Sequence, residues 1–346
     1  MKIRTLVVDS TYLLKRSFHG AKNTYTTKFG HIGGLYSFFT TLRKLISEHS
    51  INKVVLCWDG ENGGLFRYRI DKNYKANRLS KDWHNKIVLT ENEVRREKEK
   101  KESILKQKKR IQAYAEELFL RQIEVDEIEA DDIIAAYCLK YNNKEELYIY
   151  SNDRDFAQLL DLNITIIFSN IDTPITKRNF YTEFGYHHSN ALPFKIICGD
   201  SADNIKGVGG IKEATLLKYF PEVKARETTV REIYGKAKEY NKKRIDEGKK
   251  PIKALQNIVE NKEILKTNYL LTNLRTPLLN EAAKEEILQM EMPLSPEGRS
   301  SNYLYKMMME DEFLIIFGGN FVTYIQPFYS IITQEKDLYN EYMKKQ

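Results

Sequence analysis

Three short apolar runs that each end at a carboxylate constrain this chain more than anything else in it. Residues 3–9 read Ile-Arg-Thr-Leu-Val-Val-Asp, and residues 53–59 read Lys-Val-Val-Leu-Cys-Trp-Asp. Leu147 to Tyr150 is followed by Ser151-Asn-Asp153-Arg-Asp155. Runs this short and rich in β-branched residues predict buried strands. Parallel neighbours would bring Asp9, Asp59 and the 153–155 pair to one edge of a sheet, the carboxyl edge where open parallel sheets place their sites. Glu129-Ala-Asp131-Asp132 opens an apolar helix through Ile133, Ile134, Ala135, Ala136 and Leu139, just before the third strand. Acids so crowded repel one another and are costly to desolvate unless positive charge sits among them. A solvated acidic turn is the plain alternative. A site for hard divalent cations is the sharper one, because Mg²⁺ prefers a few carboxylates, retained waters and substrate phosphates. Asp9 alone is either a helix cap or a ligand. Arg16, a little beyond it, either reaches the same cleft or is an ordinary surface arginine.

The chain has 346 residues, beyond the usual single-domain size. It carries 55 Lys plus Arg against 48 Asp plus Glu, a net charge of +7. Acids bunched in a basic background suit a protein that holds a polyanion and works on it with metals. Cys57, Cys138 and Cys198 form no CxxC pattern and no disulfide framework, which predicts a reducing cytoplasm. The scattered histidines disfavour zinc. Asp9 interrupts the first apolar run, so no signal peptide is expected. The apolar stretch 313–332 is broken by Gly318, Gly319, Asn320, Gln326 and Pro327, so no membrane span is expected.

Gly33 and Gly34 precede a helix with an apolar stripe through Phe38, Phe39, Leu42 and Ile46. They either expose N–H groups to a phosphate or form a tight turn. Residues 66–78 interleave Arg67, Arg69, Lys72, Lys75 and Arg78 with Phe66, Tyr68 and Tyr74, a mixture suited to phosphate contact and base stacking. Residues 91–110 hold nine Lys/Arg and five Glu with little apolar surface. They predict either a solvated helix laced by i,i+4 pairs or a helix standing over the site. Ile111, Tyr114, Ala115 and Leu118 then recover a core-facing stripe. Further strands are expected within 118–125 and 163–168.

A different unit begins near Pro193. A short helix runs into Gly199-Asp200-Ser-Ala-Asp203-Asn204, then Lys206-Gly207-Val-Gly209-Gly210-Ile-Lys212. This glycine turn between helices exposes backbone N–H groups to a phosphate and is not a Walker loop. Asp200 and Asp203, at i,i+3, share one face. The basic stretch 224–253 is either a solvated helix or a duplex contact. Residues 255–290 look helical. Pro293, Pro296 and Gly298 mark a boundary before a packed tail whose chemistry is uninformative.

Taken together these motifs resemble the flap endonuclease and 5′-nuclease superfamily, nearest to phage-encoded 5′→3′ exonucleases and phage-type ribonuclease H. The resemblance rests on VVDS at 7–10, CWDG at 57–60, FRYRIDKNYKANR at 66–78, EADD at 129–132, SNDRD at 151–155 and GDSADNIKGVGGI at 199–211. It covers roughly residues 1–220. It implies an α/β fold with a central, mostly parallel sheet of PIN-like type, a helical arch and a helix–turn–helix-like duplex-binding region. The segments it implies are a metal-nuclease core at 1–185 with the arch near 70–118, a duplex-binding region at 186–290, and an extension at 291–346.

The resemblance further implies metal ligands at Asp9, Asp59, Glu129, Asp131, Asp132, Asp153, Asp155, Asp200 and Asp203, holding two or more Mg²⁺ with Mn²⁺ as a substitute. Asp153, Asp155, Lys75 and Arg78 carry the chemistry. Lys75 polarises the scissile phosphate, and Arg78 and Arg16 steer the 5′ strand. Gly33, Gly34, Arg67, Tyr74, Lys206, Gly207, Gly209, Gly210 and Lys212 are the nucleic-acid contacts, with Tyr74 either stacking or packing. The glycine turn departs from the family pattern at Lys212 and Ala214, which puts its monovalent-cation site in doubt. Expected substrates are flaps, nicks, single-stranded 5′ ends and RNA primers on duplex DNA, met by a cytoplasmic monomer. A non-catalytic junction-binding protein, or another Mg²⁺ enzyme such as a phosphatase, is the competing class.

Overall fold

A computed structural model describes residues 2–76 and 91–346. The chain divides into two compact units. The first comprises Met1–Gly63, Leu89–Asn152 and Leu279–Gln346, and the second Gly64–Val88 and Asp153–Leu278. These units cut across the expected segments: the tail joins the first unit, and residues 153–185 join the second. No described helix is long and apolar enough to cross a membrane.

The first unit is built on parallel strands. In chain order its strands are β1 (Arg4–Asp9), the short antiparallel pair β2 (Tyr25–Thr26) and β3 (Gly30–His31), β4 (Lys53–Asp59), β5 (Arg121–Val125) and β6 (Glu146–Tyr150). The main strands lie in the order β5-β4-β1-β6, with β1 parallel to both neighbours and β4 parallel to β5. Leu6, Val7, Val8, Val54, Val55, Leu56 and Ile149 are fully buried. Near-continuous apolar runs of this kind belong to a sheet covered on both faces.

Helices α1 (Ser10–Gly20) and α2 (Gly33–His49) follow β1 and pack on one another. Phe38 stacks on Trp58 at 5.8 Å. Gly33 and Gly34 are there for close packing. A Cβ on Gly33 would run into the Ala21 carbonyl, and one on Gly34 would come within 2.7 Å of Gln107 Oε1. The Leu35 N–H donates to that same Oε1 at 2.9 Å. The two glycines form the first turn of α2 rather than a separate tight turn.

The charged stretch becomes a half-buried helix of this unit, Glu91–Glu117. Its first turns are exposed and carry i,i+4 pairs such as Arg95–Glu99 and Lys98–Glu102. Its last turns bury Gln107, Ile111, Tyr114 and Ala115. The tail supplies helices Glu281–Gln289, Ser301–Glu310, Phe313–Phe317, Phe321–Ile325 and Tyr329–Met343. Leu304, Met308, Phe313, Tyr324, Phe328 and Ile331 bury their side chains in this unit.

Buried ion pairs hold the tail down. Asp311 accepts from the Tyr114 hydroxyl at 2.7 Å and pairs with Arg110 at 2.7 Å. Glu335 pairs with Arg121 at 2.6 Å, both side chains almost wholly buried, and Arg121 also donates to the Met290 and Met292 carbonyls. Buried charges need this full set of partners, because an unpaired one is far costlier than the pair is favourable.

The second unit is mainly helical. It contains α3 (Leu65–Ile70), a 3₁₀ helix at Arg154–Leu162, strand Thr165–Ile167, and helices Phe180–Phe184 and Ala191–Cys198. A two-stranded antiparallel pair, Gly199–Asp200 with Ile205–Lys206, leads to helix Glu213–Tyr219. Helices Val230–Asp246, Lys253–Glu260 and Lys262–Thr272 complete it. Gly199, at φ +72, and Gly207 press backbone on backbone, with no room for a Cβ on either. That close approach fixes where the glycine turn leaves its preceding helix.

Candidate active site

In the first unit the register of β1 and β4 decides where the acids go. Asp9 pairs with Cys57, so Asp59 lies two residues further along the neighbouring strand and on the same face of the pleat. Asp9 caps α1, its Oδ1 accepting the Tyr12 N–H at 3.0 Å, while its Oδ2 accepts from the Ser151 hydroxyl at 3.1 Å. Asp9 is thus both a cap and a buried acid at the sheet edge. The Asp59 N–H donates to Thr11 Oγ1 at 2.9 Å, and Asp59 Oδ1 accepts from the Ala130 N–H at 2.9 Å. That last bond ties the strand end to the first turn of helix α5 (Ala130–Tyr141), the fifth in chain order with Glu91–Glu117 as α4.

Glu129 is the N-cap residue of α5, and Asp131 and Asp132 lie in its first turn, where the helix dipole favours negative charge. Glu129 and Asp132 are buried. The first unit therefore brings Asp9, Asp59, Glu129, Asp131 and Asp132 to one end of its sheet. Beneath them burial, then the charges of Cys138, Asp9 and Asp131, push the Cys57 thiol far up, so Cys57 stays protonated packing. Arg16 is exposed on α1.

In the second unit Asp153 caps the 3₁₀ helix, its Oδ1 accepting the Asp155 N–H at 2.8 Å. Asp155 contacts Lys195 Nζ at 2.9 Å, and Lys195 also pairs with Asp200. Burial, then the charge of Asp153, raises the Asp155 carboxyl to about 7 against the pull of Lys195. Burial also pushes Asp200 upward, but Lys195 and the Ala202 and Asp203 N–H groups outweigh it and hold that carboxyl down. Lys195 is the positive charge this acid cluster requires, and its own acidity is lowered because three aspartates overcome its burial. The sequence reading passed over Lys195. The available signal was a lone cation inside the apolar run Phe194-Lys195-Ile196-Ile197, which demands a buried partner.

Lys75 belongs to the same unit. Its N–H donates to the Asp203 carbonyl at 2.8 Å, and Asn204 Nδ2 donates to the Asn73 carbonyl at 2.7 Å. Lys75 and Asn204 both take left-handed backbone, φ +53 and +58. Two bonds thus clamp the 71–75 loop onto the Asp200–Asn204 loop. Asn73 and Asn204 line a cavity of about 740 Å³ together with Ile70, Asp71, Lys206 and Glu263.

Two expected nucleic-acid contacts are corrected here. Arg67 is buried, its Nε donating to the Leu271 carbonyl at 2.8 Å. Tyr74 is buried against Ile205 and Leu271, so it packs rather than stacks on a base. Arg78 lies outside the described residues. Lys206, Gly209, Gly210 and Lys212 are exposed on the glycine turn, and Gly207 is half-buried.

Among the described residues, no group of three or more His, Cys, Asp or Glu side chains stands in an arrangement that could hold a metal ion. The donor chemistry nevertheless fits a hard divalent cation. Every candidate is a carboxylate, and carboxylate oxygens are the donors that Mg²⁺ and other hard cations take.

A parallel sheet with acids gathered at the ends of its strands defines the class. The chain belongs to the family described as 5′-3′ exonuclease, N-terminal resolvase-like domain, whose model matches residues 4–185. It is 29% identical over 271 residues to a 5′-3′ exonuclease of Mycoplasmopsis pulmonis, a match covering 75% of this chain and 81% of that protein. To a 5′-3′ exonuclease of Halalkalibacterium halodurans it is 28% identical over 258 residues, 69% of this chain and 77% of the relative. A solved structure of T5 5′-exonuclease with bound zinc ions superposes with a TM-score of 0.64 at 20% identity, covering 83% of this chain and 98% of that one. A bacteriophage T5 flap endonuclease in complex with DNA and metal ions gives 0.61 at 19% identity, covering 89% and 99%. At those identities the structures show a shared fold.

Proposed function

We propose that the protein is a divalent-metal-dependent, structure-specific 5′ nuclease that hydrolyses phosphodiesters near flaps, nicks, free 5′ ends and RNA primers on duplex DNA. The observation that carries this reading is the anchoring of Asp9 and Asp59 at one strand edge beside the first turn of α5, in a chain of the 5′-3′ exonuclease family. Asp9, Asp59, Glu129 and Asp131 form one ligand set, and Asp132 serves either. Asp153, Asp155, Asp200 and Asp203 form another. Mg²⁺ is the intended ion and Mn²⁺ a substitute. When bound, such ions acidify a water and offset charge developing on the phosphoryl oxygens.

The chain's own residues orient and neutralise. Ser151 and the Tyr12 N–H fix the two oxygens of Asp9, so its carboxylate keeps one orientation. Lys195 holds Asp155 and Asp200 together and favours their charged forms. Lys75 presents an ammonium to the scissile phosphate from a loop held by its own backbone. Arg16 and Arg78 steer the 5′ strand, while Lys206, Gly207, Gly209, Gly210 and Lys212 meet the duplex backbone. The products are a 5′-phosphate and a 3′-hydroxyl. The protein acts as a monomer in the cytoplasm, on DNA and on RNA–DNA hybrids.

End-labelled flap, nicked and RNA-primed duplexes, incubated with and without Mg²⁺, test this directly. Cleavage near the 5′ end with Mg²⁺ alone is expected. Asp153→Asn keeps an N-cap residue while removing a charge, so it should fold, bind duplex and fail to cleave. Full turnover in that variant overturns the assignment.

A further inference from the structure

We infer that Lys195 is a resident counter-ion that competes with a divalent cation for the oxygens of Asp155 and Asp200, so that this ligand set loads only when the ammonium leaves it. The inference rests on the nuclease reading above and concerns how readily one of its two ligand sets takes a metal ion.

The ammonium sits on the atoms a metal ion would need. Lys195 Nζ contacts Asp155 Oδ2 at 2.9 Å and pairs with Asp200 Oδ2. The other oxygen of Asp200, Oδ1, accepts the Ala202 N–H at 2.7 Å. Both oxygens of Asp200 are therefore engaged, one of them by a whole positive charge. Hard divalent ions bind through carboxylate oxygens. An ammonium and such an ion on the same oxygen repel one another at close range, where little water screens them. One of the two has to yield.

Local structure puts Lys195 there. It lies in the last turn of helix Ala191–Cys198, with Phe194, Ile196 and Ile197 buried around it. Gly199 caps that helix, its N–H donating to the Lys195 carbonyl. The backbone contact of Gly199 with Gly207 fixes the turn that brings Asp200 back to a side chain five residues earlier. Asp155 is set in the first turn of the 3₁₀ helix, its N–H donating to Asp153 Oδ1 at 2.8 Å. Backbone bonds thus fix both carboxylates, and Lys195 is the partner able to move. Its ammonium ends a flexible four-carbon stem, and the side chain keeps 15% of its surface exposed, which leaves it a way out to water.

Asp59 in the other ligand set differs. It has no ion pair among the described residues, and its Oδ1 accepts from the neutral Ala130 N–H. No positive charge has to leave Asp59 before a cation arrives. The two sets therefore differ in their affinity for one and the same ion, and Lys195 supplies the difference.

The test is Mn²⁺ binding to the full chain without nucleic acid, followed by the electron paramagnetic resonance signal of free Mn²⁺. The unaltered protein should show a tighter and a weaker class of site. Lys195→Gln removes the competing charge and should tighten the weaker class about tenfold, the low end of the coupling between close, partly desolvated charges. Lys195→Arg keeps the charge and grips carboxylates through two donors, so it should leave that class as weak or weaker. A lysine that only braces the two acids predicts the opposite sign for Lys195→Gln, a loss of Mn²⁺ affinity. In the unaltered protein, acetylation of Lys195 by an amine reagent, read by mass spectrometry, should quicken when Mn²⁺ is added, and this decides the matter where Lys195→Gln does not fold. Mn²⁺ binding by Lys195→Gln no tighter than by the unaltered protein, or acetylation indifferent to Mn²⁺, overturns the competition; flap cleavage by the unaltered protein then leaves the nuclease reading standing. An unaltered protein that neither binds Mn²⁺ nor cleaves overturns that reading itself.

Discussion

Replacing Asn204 by glycine removes one hydrogen bond and little else. Asn204 has φ +58, a conformation glycine adopts freely, so the backbone of its loop should survive. What goes is the 2.7 Å bond from Nδ2 to the Asn73 carbonyl, one of the two bonds that clamp the Lys75 loop. An exposed neutral hydrogen bond is worth about 1 kcal/mol. If that energy holds Lys75 in its working position, the positioned fraction falls about fivefold, and so does the rate of cleavage of bound substrate. Asn204→Asp should do more damage, because it sets a carboxylate against a carbonyl in the same backbone pose. The assay is single-turnover cleavage of an end-labelled flap at saturating enzyme, repeated in a Lys75→Ala background. A residue that acts through Lys75 loses its effect when that ammonium is gone, so the double variant should cleave no more slowly than Lys75→Ala alone. Equal rate losses in both backgrounds refute the clamp. Full activity of Lys75→Ala itself refutes the role of the lysine.

Three other outcomes follow from the packing. Glu335→Gln should lower unfolding free energy by about 3 kcal/mol, since it leaves Arg121 buried without its carboxylate; a urea midpoint unchanged from the parent contradicts this. Gly33→Ala should destabilise the first unit by about 2 kcal/mol through the collision with the Ala21 carbonyl, with duplex affinity intact at temperatures where it is folded. His188 has its basicity lowered by burial and then by His187, with Lys177 and Arg275 acting the same way and Asp161 opposing them. The unfolded chain then binds the proton more readily, so thermal stability should drop as pH falls below about 6.5, and that drop should shrink in His188→Gln.

The strand-end acids were legible because both of their determinants are local. An apolar run predicts a strand, and a carboxylate at its end needs no distant partner to be noticed. The exposed and buried halves of Glu91–Glu117 were readable for the same reason, since Ile111, Tyr114 and Ala115 keep helical spacing. Lys195 escaped notice because its meaning lies in Asp155 and Asp200, which only folding brings to it. Arg67 misled in the opposite direction. Among Phe66, Tyr68 and Arg69 it looks like a nucleic-acid contact, yet the short helix turns it inward to the Leu271 carbonyl. Why glycine stands at 33 and 34 was hidden as well, because the Ala21 and Gln107 neighbours that leave no room for a Cβ come from elsewhere in the chain. The tail looked inert because its anchors, Asp311 and Glu335, answer residues roughly two hundred positions earlier.

Those late anchors give the chain a built-in order of assembly. A nascent polypeptide with only its first 278 residues outside the ribosome holds every proposed metal carboxylate but lacks the carboxylates that Arg110, Tyr114 and Arg121 donate to. The parallel sheet of its first unit has all its strands by Tyr150 but must wait for covering helices from the tail, a slow kind of closure. A chain cut short before those helices would therefore hold an unfinished first unit.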